Sequence, residues 1–273
     1  MRLRLVLLAG IVVSGIAPAA GGARELRVCA DPNNLPFSNA QREGFENKIV
    51  ALVADELAAS PRYLWWPQRR GFVRNTLKAG LCDVVPGVPS NLELLRTTEP
   101  YYRSSYVFVS RIGGPSVASL DDPTLRDLRV GVQLIGDDGA NSPPADALAR
   151  RGIVKNVRGY PVYGNYGKPR PGAAIVDAVV AGDVDVAVVW GPTAGYFAQQ
   201  ASRQLRLTPV SPQFDGPQMP MAFDISMGVR KEDQALRDEI DSAIEHRRAA
   251  IDAILAGYSV PRLDRTPVSH RSQ

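Results

Sequence analysis

Val28–Ser38, VCADPNNLPFS, is the stretch whose reading decides the fold. A short apolar run, LRVCA (26–30), breaks at Asp31-Pro32-Asn33-Asn34, and Leu35-Pro36-Phe37 leads into a periodic segment. Proline fixes φ, and Asp and Asn bond their own backbone in turns, so the run reads as a strand ending in a turn. From Gly44 to Ala58, apolar residues recur at Phe45, Ile49, Leu52, Val53 and Leu57. That spacing is one face of a helix. Strand, turn and helix make the opening of a βαβ unit.

The alternation continues outward. RYLWWP (62–67), CDVVPGV (82–88) and YRSSYVFVSR (102–111) read as strands, and GFVRNTLKAG (71–80) as a short helix stopped by Gly80. At IGGPS (112–116) the texture changes to a linker, followed by a capped turn at SLDDPTLRDL. RVGVQL (129–134), DVDVAVVW (183–190) and LRLTPV (205–210) are strands of a second unit. Its helices are SPPADALARRGI (142–153), GAAIVDAVVAG (172–182) and GPTAGYFAQQAS (191–202), with a Gly/Tyr/Pro-rich loop at 159–172. After a second crossing at SPQFDGPQMP (211–220) come a strand, FDISMGVRK (223–231), and a long amphipathic helical region, 232–258. The pattern is α/β in two lobes joined by two crossings. Residues 24–110 and 221–258 form lobe one, 111–220 form lobe two, and 259–273 read as a disordered tail.

Residues 1–23 carry a basic start (MRLR), an apolar core and small residues around Ala17–Ala23, the composition of a secretory leader. No later stretch is apolar enough to span a membrane. Without the leader arginines Arg2 and Arg4, the formal charge falls from +4 to +2. Arg and Asp are mixed along the chain, with no basic stripe for nucleic acid. Two cysteines, Cys29 and Cys82, read first as one disulfide in an exported chain, against two buried thiols. The histidines, His246 and His270, stand far apart and offer no metal-ligand spacing.

In an open parallel sheet, ligands sit beyond the carboxyl ends of the strands. Those ends supply Asp31, Asn33, Asn34 and Phe37, then Gln68, Arg69 and Arg70, then Gly87, and in lobe two Gln133, Asp137 and Trp190. Tyr101, Tyr102 and Arg103 complete the candidate cleft set. Two readings of Asp31 stand side by side: a ligand acceptor, or a side chain that shapes its own turn. Arg69 and Arg70 precede a helix N-terminus and suit either an anion or a solvated surface. Catalytic patterns are missing: there is no nucleophile elbow, and neither histidine sits where a triad needs it. Asp183 and Asp185 read as solvated acids at a strand start, and the chain reads as no enzyme.

Six blocks go further: VCADPNNLPFSN, GFENKI, WPQRRGFVRNTLKAGLCDVVPGVP, TTEPYYRSSYVFVSR, VDVAVVWGPTAGYFA and FDISMGVRK. Together, over about 25–258, they resemble the J-type accessory proteins (MxaJ/XoxJ) encoded with pyrroloquinoline-quinone (PQQ) methanol dehydrogenases. These are relatives of the type II periplasmic solute-binding proteins. The resemblance implies two α/β lobes around a cleft, with two hinge crossings, and sets the Cys29 and Cys82 strands side by side. It also implies a periplasmic protein without a cofactor of its own. Its partner would be a PQQ-dependent alcohol dehydrogenase whose activation or maturation it assists, with the cytochrome c of that enzyme as a further candidate partner. The alternative it leaves open is the small-solute receptor of an ABC-type importer. The wider amino-acid-binding pattern is broken at three places: Arg96 falls late, Leu134-Ile135-Gly136-Asp137 replaces a Gly-Thr, and Trp190-Gly191 replaces an Asp. The quoted turn then reads as the first wall of the cleft, with Phe37 packed behind it and Cys29 pinning the strand.

Overall fold

The computed structural model describes residues 24–135, 141–162, 166–201, 204–216 and 219–263. The described residues open with β1 (Arg24–Ala30), a small hairpin of β2 (Asn33–Asn34) and β3 (Ser38–Asn39), and α1 (Phe45–Glu56). Then follow β4 (Ala59–Trp65), α2 (Phe72–Asn75), β5 (Val85–Pro89), β6 (Arg96–Thr97) and β7 (Tyr102–Arg111). The second unit holds β8 (Val130–Leu134), α3 (Pro143–Arg150), β9 (Val157–Pro161), α4 (Ala174–Ala181), β10 (Val186–Trp190), α5 (Gly191–Gln200) and β11 (Leu205–Pro209). The return is β12 (Ala222–Val229), α6 (Gln234–His246) and α7 (Arg248–Gly257).

In lobe one, β1 pairs in parallel with β4, and Val28 bridges Val84 on its other side. Both neighbours are needed because Leu26, Val28 and Cys29 are all buried. The bridge brings Cys29 beside Cys82, and the two form a disulfide with Cα atoms 5.7 Å apart. Phe72, Leu77, Val88 and Leu95 close over it. Phe45, Ile49 and Val53 of α1 pack on this layer with Ile240 and Ile251 of α6 and α7. Lobe two is a sandwich of helices on a sheet. Val130, Val132, Val186 and Val188 face α3, while Val107, Val109, Ala187 and Val189 face α4 and α5. Both faces of these strands are covered, which is why they read as unbroken apolar runs.

One strand serves both lobes. β7 pairs antiparallel with β12 from Tyr102 to Ser105, and with β10 from Tyr106 to Ser110. A lobe boundary drawn at residue 110 therefore cuts a continuous strand, and the change of partners falls at Ser105–Tyr106.

Other expectations shift for local reasons. The helix expected over 71–80 ends at Asn75. The loop expected from 159 overlaps β9, an edge strand. Its Gly159 leaves room for Leu134, whose Cδ1 would stand 2.2 Å from an added Cβ. The helical region 232–258 breaks at Arg247, which leaves the helix axis to reach Asp55 and Glu56 of α1, each at 2.7 Å. The tail expected from 259 is held as far as Leu263. Ser104 donates to the Pro261 carbonyl at 2.5 Å, and the Leu263 N–H donates to Arg103 O at 3.0 Å. Among the described residues no helix is long and apolar enough to cross a membrane.

Candidate functional site

A cavity of about 410 Å³ lies between the lobes. Its lobe-one wall is the turn after β1, the first turn of α1, the segment after β4 and the middle of β5. Its lobe-two wall is the ends of β8 and β10 with the start of α5. These are the carboxyl ends of the parallel strands, as the open-sheet rule requires. Tyr102 and Tyr106 of β7, with Phe223 and Ile225 of β12, form the part of the wall that belongs to the crossing.

Of the residues expected at the cleft, Asp31, Asn34, Phe37, Gln68, Gly87, Tyr102, Gln133 and Trp190 line this cavity. Asp31 is 2% exposed, and its two oxygens accept from three donors: Asn33 N–H at 2.8 Å, Gln68 N–H at 2.7 Å and the Tyr166 hydroxyl at 2.5 Å. These three donors hold it in place, and it shapes the turn. Asn34 donates to Gln68 at 3.3 Å, tying the ends of β1 and β4 together. Phe37 packs tilted on Phe45 with ring centroids 5.3 Å apart. Gln133 accepts from the Trp190 N–H at 2.8 Å, and the Trp190 ring meets Tyr106 and Phe223 edge-on.

The remaining candidates stand elsewhere. Asn33 donates to the Lys168 carbonyl at 2.8 Å. Arg69 and Arg70 are exposed and off the cavity wall, with the Arg69 guanidinium 5.4 Å from the Tyr166 ring. Arg103 pairs with Asp224 across the β7–β12 ladder at 2.7 Å. Tyr101 lies beneath the wall, 2% exposed. Asp137 lies outside the described residues. Arg69, Arg70 and Arg103 are thus not among the lining residues, although Arg69 stands beside Tyr166, whose hydroxyl bonds the wall residue Asp31.

Sequence reading missed Glu46. It stands in the first turn of α1, 2% exposed, and lines the cavity. The Tyr101 hydroxyl donates to its Oε2 and itself accepts from the Gly87 N–H at 3.0 Å. Its Oε1 has no hydrogen-bond partner. Burial pushes the Glu46 carboxyl up to about 8, with the Tyr101 hydrogen bond working against the rise. Gly87 stands directly opposite at φ +73, and a Cβ there would come 3.2 Å from Oε1. The one available signal was a carboxylate wedged between Phe45 and Ile49, next to the apolar stripe rather than opposite it. Among the described residues, Asp31 and Glu46 are the charged side chains on the wall, with no Lys, Arg or His and no group able to hold a metal ion.

No protein-family model matches the chain. Protein MoxJ of Methylorubrum extorquens AM1 is 34% identical over 261 residues, spanning 91% of this chain and 84% of that one. The chain belongs to the MoxJ family. Among solved structures, the periplasmic binding protein XoxJ from Methylobacterium extorquens AM1 matches at 36% identity with a TM-score of 0.70, covering 88% of this chain and 100% of that chain. MxaJ from Methlophaga aminisulfidivorans MPT matches at 27% identity with a TM-score of 0.72, covering 87% and 100%. The two-lobed type II periplasmic-binding-protein fold follows from these likenesses. In this MoxJ-family chain the lobes also meet at the rim. Tyr166 and Lys168 of lobe two bond Asp31 and Asn33 of lobe one. Burial, and then Asp31, push the Tyr166 hydroxyl up, so it stays a donor to that carboxylate at neutral pH.

Proposed function

We propose that the protein is a periplasmic accessory protein that binds a PQQ-dependent methanol or alcohol dehydrogenase through the interlobe cleft. It assists activation or maturation of that enzyme and performs no catalysis itself. Residues 1–23 serve as its export leader. Membership of the MoxJ family supports this reading, and the observation that carries it is the cleft wall. Aromatic and aliphatic side chains dominate it, and among the described residues no arginine lines it to clamp a carboxylate. A wall of that kind grips an apolar segment better than a zwitterionic amino acid.

The test uses the leaderless protein, immobilised and offered the dehydrogenase from the same periplasm. Wild type retains the enzyme, and Ile135→Arg does not. Ile135 lines the cavity yet is 37% exposed, so its replacement fills the cleft and spares the core. Failure of wild type to retain any dehydrogenase, with a small molecule carried through purification, refutes the reading. It favours the receptor of a small-solute importer. One observation supports that second reading: the rim bonds from Tyr166 to Asp31 and from Asn33 to Lys168 bring the lobes together over a volume of solute size.

A further inference from the structure

We infer that the cleft takes a primary ammonium group on an apolar stem, received by Glu46 Oε1 beneath Gly87. The inference deepens the cleft-binding reading above and rests on it. Three observations converge. Glu46 is almost wholly buried, lines the cavity and keeps one oxygen without a partner. Once the carboxyl is ionised, a buried oxygen left unpaired costs about 1–3 kcal/mol, so such an atom marks a place where a donor arrives. Opposite it, Gly87 holds φ +73 and lacks the Cβ that would cover Oε1.

Charge then selects the donor. On the described wall Asp31 already holds three protein donors, whereas Glu46 holds one, from Tyr101. With no basic side chain among the described residues lining the cavity, an anion finds no counter-charge there. The rings of Tyr102, Tyr106, Trp190 and Phe223 on the wall suit a cation through their π systems and give its stem an apolar seat. A Lys side chain of a protein segment and a free alkylamine share this chemistry.

The other titratable groups turned toward Glu46 are phenols. Tyr101 and Tyr102 at the start of β7, and Tyr63 of β4, are all pushed up by burial and neutral below pH 9. The Arg42 guanidinium lies on the far side, 5.1 Å from the Tyr63 ring. Glu46 is therefore the group that titrates. With its carboxyl neutral below about pH 8, an incoming ammonium ionises it, and one proton leaves Glu46 for solvent.

The experiment follows tryptophan fluorescence and heat on titrating the leaderless protein with n-butylamine and with n-butanol, its uncharged counterpart. A second arm compares the capped peptides Leu-Lys-Phe and Leu-norleucine-Phe. The inference expects the amine, or the Lys peptide, to bind at least tenfold more tightly than its uncharged counterpart. Affinity rises about tenfold per pH unit between pH 6 and 7 and levels above 8, with a proton released at pH 7. Glu46→Gln removes that preference while melting as a folded protein. Glu46→Asp, whose carboxyl is one methylene short of the cleft, also weakens it. Binding by butylamine identifies a free amine as the source, and binding by the Lys peptide alone identifies a protein segment. Equal affinity for charged and uncharged forms, or a preference that Glu46→Gln leaves intact, overturns the inference. Capture of the dehydrogenase by Glu46→Gln as well as by wild type, alongside that result, leaves the accessory function standing and removes only the ammonium site.

Discussion

Replacing Glu46 with Gln should flatten the pH dependence of folding stability. The carboxyl is held near 8 in the folded protein, against an ordinary value of 4.5. Between those limits the folded state keeps a proton that the unfolded chain has lost, so stability falls as pH rises. The contribution is fully present below pH 4.5 and gone above about 8. At about 1.4 kcal/mol per pH unit, that window amounts to about 5 kcal/mol. Glutamine fills the same volume, accepts the Tyr101 hydrogen bond and does not titrate. Urea unfolding of both proteins at pH 5, 6, 7, 8 and 9 gives the difference directly. Asp185 and Asp215, held below the ordinary carboxylate range by Arg129 and Arg151, are ionised throughout and cancel in the subtraction. So does Asp241, which burial raises in both proteins. The expected result is near-equal stability at pH 5, and a variant several kcal/mol more stable at pH 9. A difference constant to within about 0.5 kcal/mol over the range would refute the burial argument, because it would mean that Glu46 ionises in the folded protein as it does in water.

Three further outcomes are expected. The Cys29–Cys82 bridge joins residues 53 apart in sequence, so its removal as the double serine variant should lower stability by about 4 kcal/mol in urea unfolding. Tyr166→Phe deletes a hydrogen bond from lobe two to the Asp31 carboxylate, at a cost of about 1.5–2 kcal/mol, and should widen the distribution of interlobe distances seen by spin labels. Gly195→Val would place a Cβ 1.9 Å from the Ser259 carbonyl, so it should expel Ser259–Leu263 from the crossing. Trypsin should then cut after Arg262 in the variant faster than in wild type.

The periodicities around VCADPNNLPFS were enough to read the α/β class, the order of the main elements and the return of the chain after 220. Strands such as Tyr102–Arg111 are rich in aromatic and β-branched residues and buried over almost their full length, so burial and backbone preference agree there. Legibility failed where a single residue answers to a distant partner. Gly159 looks like loop composition until Leu134 is seen filling its place, and Arg247 breaks a helix to meet Asp55 and Glu56. Arg69 and Arg70 carry the charge of an anion site yet are not among the residues lining the cavity, and Arg103 pairs with Asp224 on the neighbouring strand. Glu46 shows the reverse: it reads as an ordinary polar residue of α1, and tertiary packing turns it into a buried acid on the cavity wall. Sequence by itself determined which segments are strands, which are helices and which face of each is apolar, because those properties repeat at short range. Only the tertiary structure decided which carboxyl is buried with an unpartnered oxygen, because that depends on the Tyr101 hydroxyl and the bare backbone of Gly87, groups far apart in the chain that packing brings together.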